Sequence, residues 1–101
     1  MGANLSSKQR AFLLSEVNSQ KAVVQIGRDG LTPEVTQAAD EALAARELIK
    51  INVQKSCPED PREMAETLSQ RTHAAVVRTI GRKIILYRRA HDAKDRMELP
   101  R

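Results

Sequence analysis

The chain has 101 residues, of which 41% are hydrophobic and 30% charged, and a formal net charge of +4. A length of this order leaves room for one domain, residues 1–101, burying roughly two-thirds of the surface its unfolded chain exposes; that allows a modest core and speaks against a deep enzyme cleft. No apolar run approaches the roughly 18 residues that span a bilayer and no signal-peptide core follows the N-terminus, so neither membrane contact nor export is expected, and a cytoplasmic location is.

Ser6 and Gln9 have the spacing of a capping box, which predicts a helix from about Ser7 to Val17 with Leu13, Leu14 and Val17 inward. Asn18-Ser19-Gln20 breaks it. Ala22 to Ile26 is short and rich in β-branched residues, as a first strand should be, and Gly27 ends it. Thr32 is a good N-cap, and Pro33 suits the first helical position, where its missing N–H costs nothing. Val35, Ala38, Ala39, Ala42 and Leu43 then recur as one helical stripe. From Leu48 to Lys55 the period becomes two, with Ile49, Ile51 and Val53 on one face and Lys50, Asn52 and Gln54 on the other, a strand wet on one side. Asp60-Pro61-Arg62-Glu63 repeats the grammar of a helix start, and the helix should carry Met64, Ala65 and Leu68 inward until about Thr72. Ala74 to Ile80 and Ile84 to Tyr87 read as a hairpin around Gly81-Arg82-Lys83. Residues 90–101 are too polar for a core and read as a tail.

The order α-β-α-β-α-β-β belongs to the α/β class. Two strand-helix-strand units imply right-handed parallel crossovers, whereas the short last connection forces an antiparallel pair. A compact two-layer domain with a four-stranded mixed sheet is therefore expected.

Charge is spread unevenly. Residues 1–28 carry four basic and one acidic side chain, residues 29–70 four and nine, and residues 71–101 nine and three, giving nets of +3, −5 and +6. If folding joins the two ends of the chain, they make a polyanion-binding face backed by an acidic one. Lys8 and Arg10 belong to the first end; Arg78, Arg82, Lys83, Arg88 and Arg89 belong to the second, in a stretch without an acidic residue. Gly27-Arg28-Asp29-Gly30 adds a turn that glycines enter easily, a basic side chain at its tip and the start of a helix, whose free N–H groups and dipole favour an anion. Gly27 and Gly30 would leave no β-carbon to hold a ligand's backbone away, and Arg28 could grip a phosphate through two hydrogen bonds. KH domains clamp nucleic-acid backbone with a G-x-x-G loop by this logic. Thr32, at the start of the helix, joins the candidate set.

Aromatic residues are 2% of the chain, Phe12 and Tyr87, which argues against recognition by base stacking. Phe12 is assigned to the core, and Tyr87 to packing with its hydroxyl at the rim. Two rival function classes are a ribonuclease using His73 and His91 as acid and base and a protein-interaction module using the acidic middle. The first has no nucleophile or carboxylate at a recognised catalytic spacing, so no catalytic residue, cofactor or small-molecule substrate is expected. Cys57 is alone, which agrees with a reducing compartment, and has no His or Cys at ligand spacing, so no metal is expected either. Met1-Gly2 with Ser6 fits the loose N-myristoylation template, a pattern that chance readily produces.

Leu5-Ser6-Ser7-Lys8-Gln9-Arg10, Ile26 to Thr32, Glu47-Leu48-Ile49-Lys50-Ile51, Ile80 to Arg88 and the ending Leu99-Pro100-Arg101 together resemble the CRM domain (chloroplast RNA splicing and ribosome maturation) in its free-standing bacterial YhbY-like form. The resemblance spans nearly the whole chain. It implies a compact α/β fold similar to the C-terminal domain of translation initiation factor three, and an RNA-binding role. Bacterial members are associated with precursors of the large ribosomal subunit, and plant relatives serve in group II intron splicing. The resemblance further implies Gly27, Arg28, Asp29 and Gly30 as the loop that contacts RNA, here structured ribosomal RNA. An assembly factor acting as a monomer is the resulting expectation. Asp29 departs from the pattern, being an acid where a basic or neutral residue would suit RNA better.

Overall fold

The structure, a computed structural model, describes residues 5–89 and 99–100. Helix α1 (Ser7–Val17) opens with the capping box: Gln9 N–H donates to Ser6 Oγ at 3.1 Å and Ser6 N–H to Gln9 Oε1 at 3.0 Å. Strand β1 (Val24–Ile26) follows, then α2 (Pro33–Arg46), β2 (Leu48–Val53), α3 (Pro61–Thr72), β3 (Ala75–Ile80) and β4 (Lys83–Tyr87). Thr32 and Asp60 cap α2 and α3, each with proline in the first turn, so all three helices start where local chemistry dictates.

The sheet order is β1-β2-β4-β3, with β1 parallel to β2 and β4 antiparallel to both its neighbours. The second crossover therefore leaves a gap one strand wide, and the hairpin folds β4 back into it. Gly81, with φ of 56°, supplies the positive φ that the two-residue turn requires. Glu47 joins α2 to β2 without a loop: buried at a φ of 66°, it donates its N–H to Leu43 O and accepts Arg88 N–H on its carbonyl.

The α/β class, the element order and the mixed sheet are as expected; the two-layer arrangement is not. Residues α2 and α3 bury (Ala39, Leu43, Met64, Leu68) pack with Ile49, Ile51, Ile84 and Leu86 on one face. Leu13 and Val17 of α1 pack with Leu48, Val77, Ile85 and Tyr87 on the other, giving three layers. The reason is that β2 and β4 are apolar at consecutive positions, so both their faces need cover. Leu14 and Phe12 are half-buried and pack against the α1 cluster, whereas Ala38 is exposed rather than inward. Tyr87 is 2% exposed, a core residue of the central strand and not a rim residue.

One irregularity breaks β3. Val76 pairs with Leu86 and Arg78 with Ile85, so Val77 is the extra residue of a bulge. A bulge re-aims the side chains beyond it: strict alternation would turn Arg78 with Val76 towards α3, whereas here Arg78 follows Val77 onto the α1 face. Of the expected tail, Leu99 packs on the α1 cluster and Pro100 O accepts from Gln9 Nε2 at 3.0 Å. The remainder, His91 included, lies outside the described residues.

Candidate nucleic-acid interface

The Gly27–Gly30 loop leaves the C-terminal end of β1, where Ile26 pairs with Val53 of β2. The hairpin tip at Gly81 and Arg82 is at the same end of the sheet, because Lys83 pairs with Asn52. Loop and tip are thus two strand spacings apart, about 10 Å, with the β2–α3 connector between them.

Within the loop, Gly30 N–H donates to Gly27 O at 3.1 Å and Thr32 N–H to Gly30 O at 3.1 Å. The backbone N–H groups of Arg28, Asp29 and Leu31 have no partner among the described residues. They lie just before the N-terminus of α2, whose dipole favours an anion. Arg28 and Asp29 are exposed. Thr32 is the cap: its Oγ1 accepts from Val35 N–H at 3.2 Å, so its first duty is to α2.

The glycines act differently from what the sequence suggests. A β-carbon at position 27 would stand 3.1 Å from Gln54 Oε1, and one at position 30 would stand 2.8 Å from Glu59 Oε1. Their missing side chains therefore face the connector, letting the loop lie against it, and do not face an incoming ligand. Gly30 also has a φ of 68°. Gly30→Ala should cost about 1–2 kcal/mol of stability, chiefly for that left-handed φ, while Gly27→Ala, which displaces an exposed glutamine, should stay within about 0.5 kcal/mol. Urea unfolding midpoints of the two variants check the contrast.

Glu59 is the neighbour that sequence reasoning missed, since it lies in a connector of no evident pattern. Its carboxylate leans on the loop and repels phosphate there. Glu59→Gln should tighten RNA binding about two- to threefold at low salt, and the gain should vanish above roughly 0.5 M salt, as screening requires; a fluorescence titration in both buffers reads it.

The basic cluster expected on the hairpin is divided by the fold. Arg82 is half-buried and turned inward: Nε donates to Val53 O at 2.9 Å, and Nη2 to Gln54 O at 2.8 Å and Cys57 O at 3.1 Å. Arg88 lies at the opposite end of the sheet, about 17 Å of strand from Lys83. Its Nη1 donates to Asp40 Oδ1 at 2.6 Å and to Thr72 O at 2.7 Å, clamping β4 to α2 and α3. Both arginines serve the fold, and the interface is drawn without them. Arg89, exposed, shares the far end with Arg88, as does His73 at the C-cap of α3. Lys83 remains at the loop end, Arg78 on the edge strand, and Lys8 and Arg10 on α1. The two basic ends of the chain do meet, because α1 packs on β3 and β4.

Among the described residues no group of three or more His, Cys, Asp or Glu side chains is placed to hold a metal ion, and no helix is long and apolar enough to cross a membrane.

A family model matches this chain: the CRS1 / YhbY (CRM) domain aligns with residues 5–88. The chain belongs to the CRM domain family. Relatives of this CRM chain include YqeI of Bacillus subtilis, named as a probable RNA-binding protein, 38% identical over 96 residues that cover 95% of this chain and 99% of YqeI. A Haemophilus influenzae protein named as an RNA-binding protein is 37% identical, with 96% of each chain covered. A solution structure from Staphylococcus aureus, of a candidate RNA-binding protein, superposes with a TM-score of 0.80 at 35% identity, covering 96% of this CRM chain and all of the other.

Proposed function

We propose that this CRM protein binds structured ribosomal RNA by its backbone and serves the assembly of the large ribosomal subunit, as a cytoplasmic monomer without catalytic activity of its own. RNA binding itself is the function that the relatives of this family carry in their names. The observation that carries the reading to this site is the segment 28–31, where the backbone N–H groups of Arg28, Asp29 and Leu31 have no partner among the described residues and Arg28 is exposed shortly before the N-terminus of α2. Donors fixed in the backbone recognise phosphate and sugar whatever the base, and the buried Tyr87 and half-buried Phe12 leave no aromatic platform among the described residues. Recognition by backbone and shape suits a folded RNA in a precursor particle. The ribosomal assignment draws on the resemblance to YhbY-like bacterial members.

Sedimentation of cell extract on a sucrose gradient tests it. The protein should travel with immature large subunits and move to the top of the gradient after nuclease treatment. A protein found at the top in both cases would end the ribosomal assignment.

A further inference from the structure

Among the described residues, α1 leaves part of its face of the sheet uncovered. Between α1 and the β3–β4 hairpin lie two adjoining clefts of about 280 and 380 Å³, both bordered by Leu14 and Arg78. Four cations line them: Arg10 from α1, Lys50 from β2, Arg78 from β3 and Lys83 from β4. Among the described residues no carboxylate does. The bulge at Val77 is what sets Arg78 among them, and Arg78 has no partner among the described residues. Lys50 Nζ donates to Gln20 O at 2.8 Å and Lys83 Nζ to Asn52 Oδ1 at 2.7 Å; an ammonium has three donors, so each keeps two. Ile80, 51% exposed, borders the larger cleft.

The groove also has a direction. From Lys83 the contacts continue to Asn52, whose Nδ2 donates to Gln25 Oε1 at 2.8 Å. Gln25 lies two residues before Gly27, so a polar row crosses the end of the sheet from the groove to the loop. Four cations from four elements, with no compensating acid among the described residues, repel one another and favour a polyanion that joins them. Volumes of a few hundred Å³ match a small-ligand pocket and are too narrow for a duplex.

We propose that this groove holds a single strand of RNA, its phosphates on Arg10, Lys50, Arg78 and Lys83, and that the same strand continues onto the Gly27–Gly30 loop. The proposal rests on the RNA-binding reading above and deepens it. With no aromatic side chain lining the groove, binding there is tolerant of sequence.

The test uses the full chain and a fluorescent oligouridylate of about twelve nucleotides, long enough for one such site. Arg78→Ala with Lys83→Ala should weaken binding roughly tenfold and flatten the slope of log K against log salt by about 1.4, or about 0.7 for each cation lost. Both side chains are exposed, so the urea midpoint should hold. With oligo-4-thiouridine, ultraviolet crosslinks on the unaltered protein should fall on the peptide containing Ile80 as well as on the loop. Unchanged affinity and slope in the double variant, alongside weakened binding by Arg28→Glu, overturns the groove and leaves the loop reading standing. Crosslinks confined to the loop overturn it too. Equal displacement of the oligouridylate by oligoglutamate would assign the groove to an acidic protein segment instead, and an unaltered protein that binds no RNA would remove both readings.

Discussion

Arg28→Glu should weaken RNA binding by about 2 kcal/mol, roughly thirtyfold at 0.1 M salt, and flatten the salt slope by about one. The loop puts Arg28 in solvent with no partner among the described residues. A guanidinium free to meet phosphate through two parallel N–H groups makes one of the stronger polar contacts available, and glutamate replaces that attraction with repulsion. Since Arg28 supports nothing in the fold, the melting temperature should hold within about 2 °C. Titration of the variant over a range of salt concentrations, beside a thermal melt, gives both numbers. Retained affinity with an unchanged slope would remove the loop from the interface.

Arg82→Ala should show the converse, a loss of about 2–3 kcal/mol of stability and a fall in melting temperature of 10 °C or more. Its guanidinium donates to three carbonyls, those of Val53, Gln54 and Cys57, from a half-buried position. Removal leaves those acceptors to water or to nothing, and it loosens the connector on which Gln54 and Glu59 back the glycine loop. Arg82→Lys should rescue little, because an ammonium lacks the planar fork that spans three acceptors. RNA affinity measured well below the melting temperature should fall less than in Arg28→Glu. An Arg82→Ala protein as stable as the parent, yet unable to bind RNA, would return Arg82 to the interface.

These two residues mark the boundary of what could be read from the sequence. Helix starts were legible at Ser6, Thr32 and Asp60 because capping is local, settled within four residues. The strands were legible from β-branched runs and the loop from its glycines. Whether an arginine meets solvent or a carbonyl is not local: Arg82 reaches residues 25 to 29 positions away, and Arg88 reaches Asp40 across 48. Charge density in Arg78 to Arg89 was visible in the sequence, whereas its division among a groove, a connector clamp and a helix clamp depends on strand order and one bulge. Lys50 shows the same limit from the other side. Alternation made it the wet face of a strand, and only α1 lying across that face turns it into the wall of a groove. The layering failed for the same reason, since no pattern inside α1 says which face of the sheet it will cover.

The sheet order also sets a schedule. β4 follows the other three strands in the chain yet belongs at the centre of the sheet, where Ile84 to Tyr87 are buried on both faces. Until it arrives, β2 has an unsatisfied edge and β3 has no strand to join, so the residues before Lys83 cannot close the core piecemeal. Folding is therefore gated by contacts distant in sequence, which are slow to form, and a nascent chain halted before Tyr87 exposes two strand edges open to unwanted pairing.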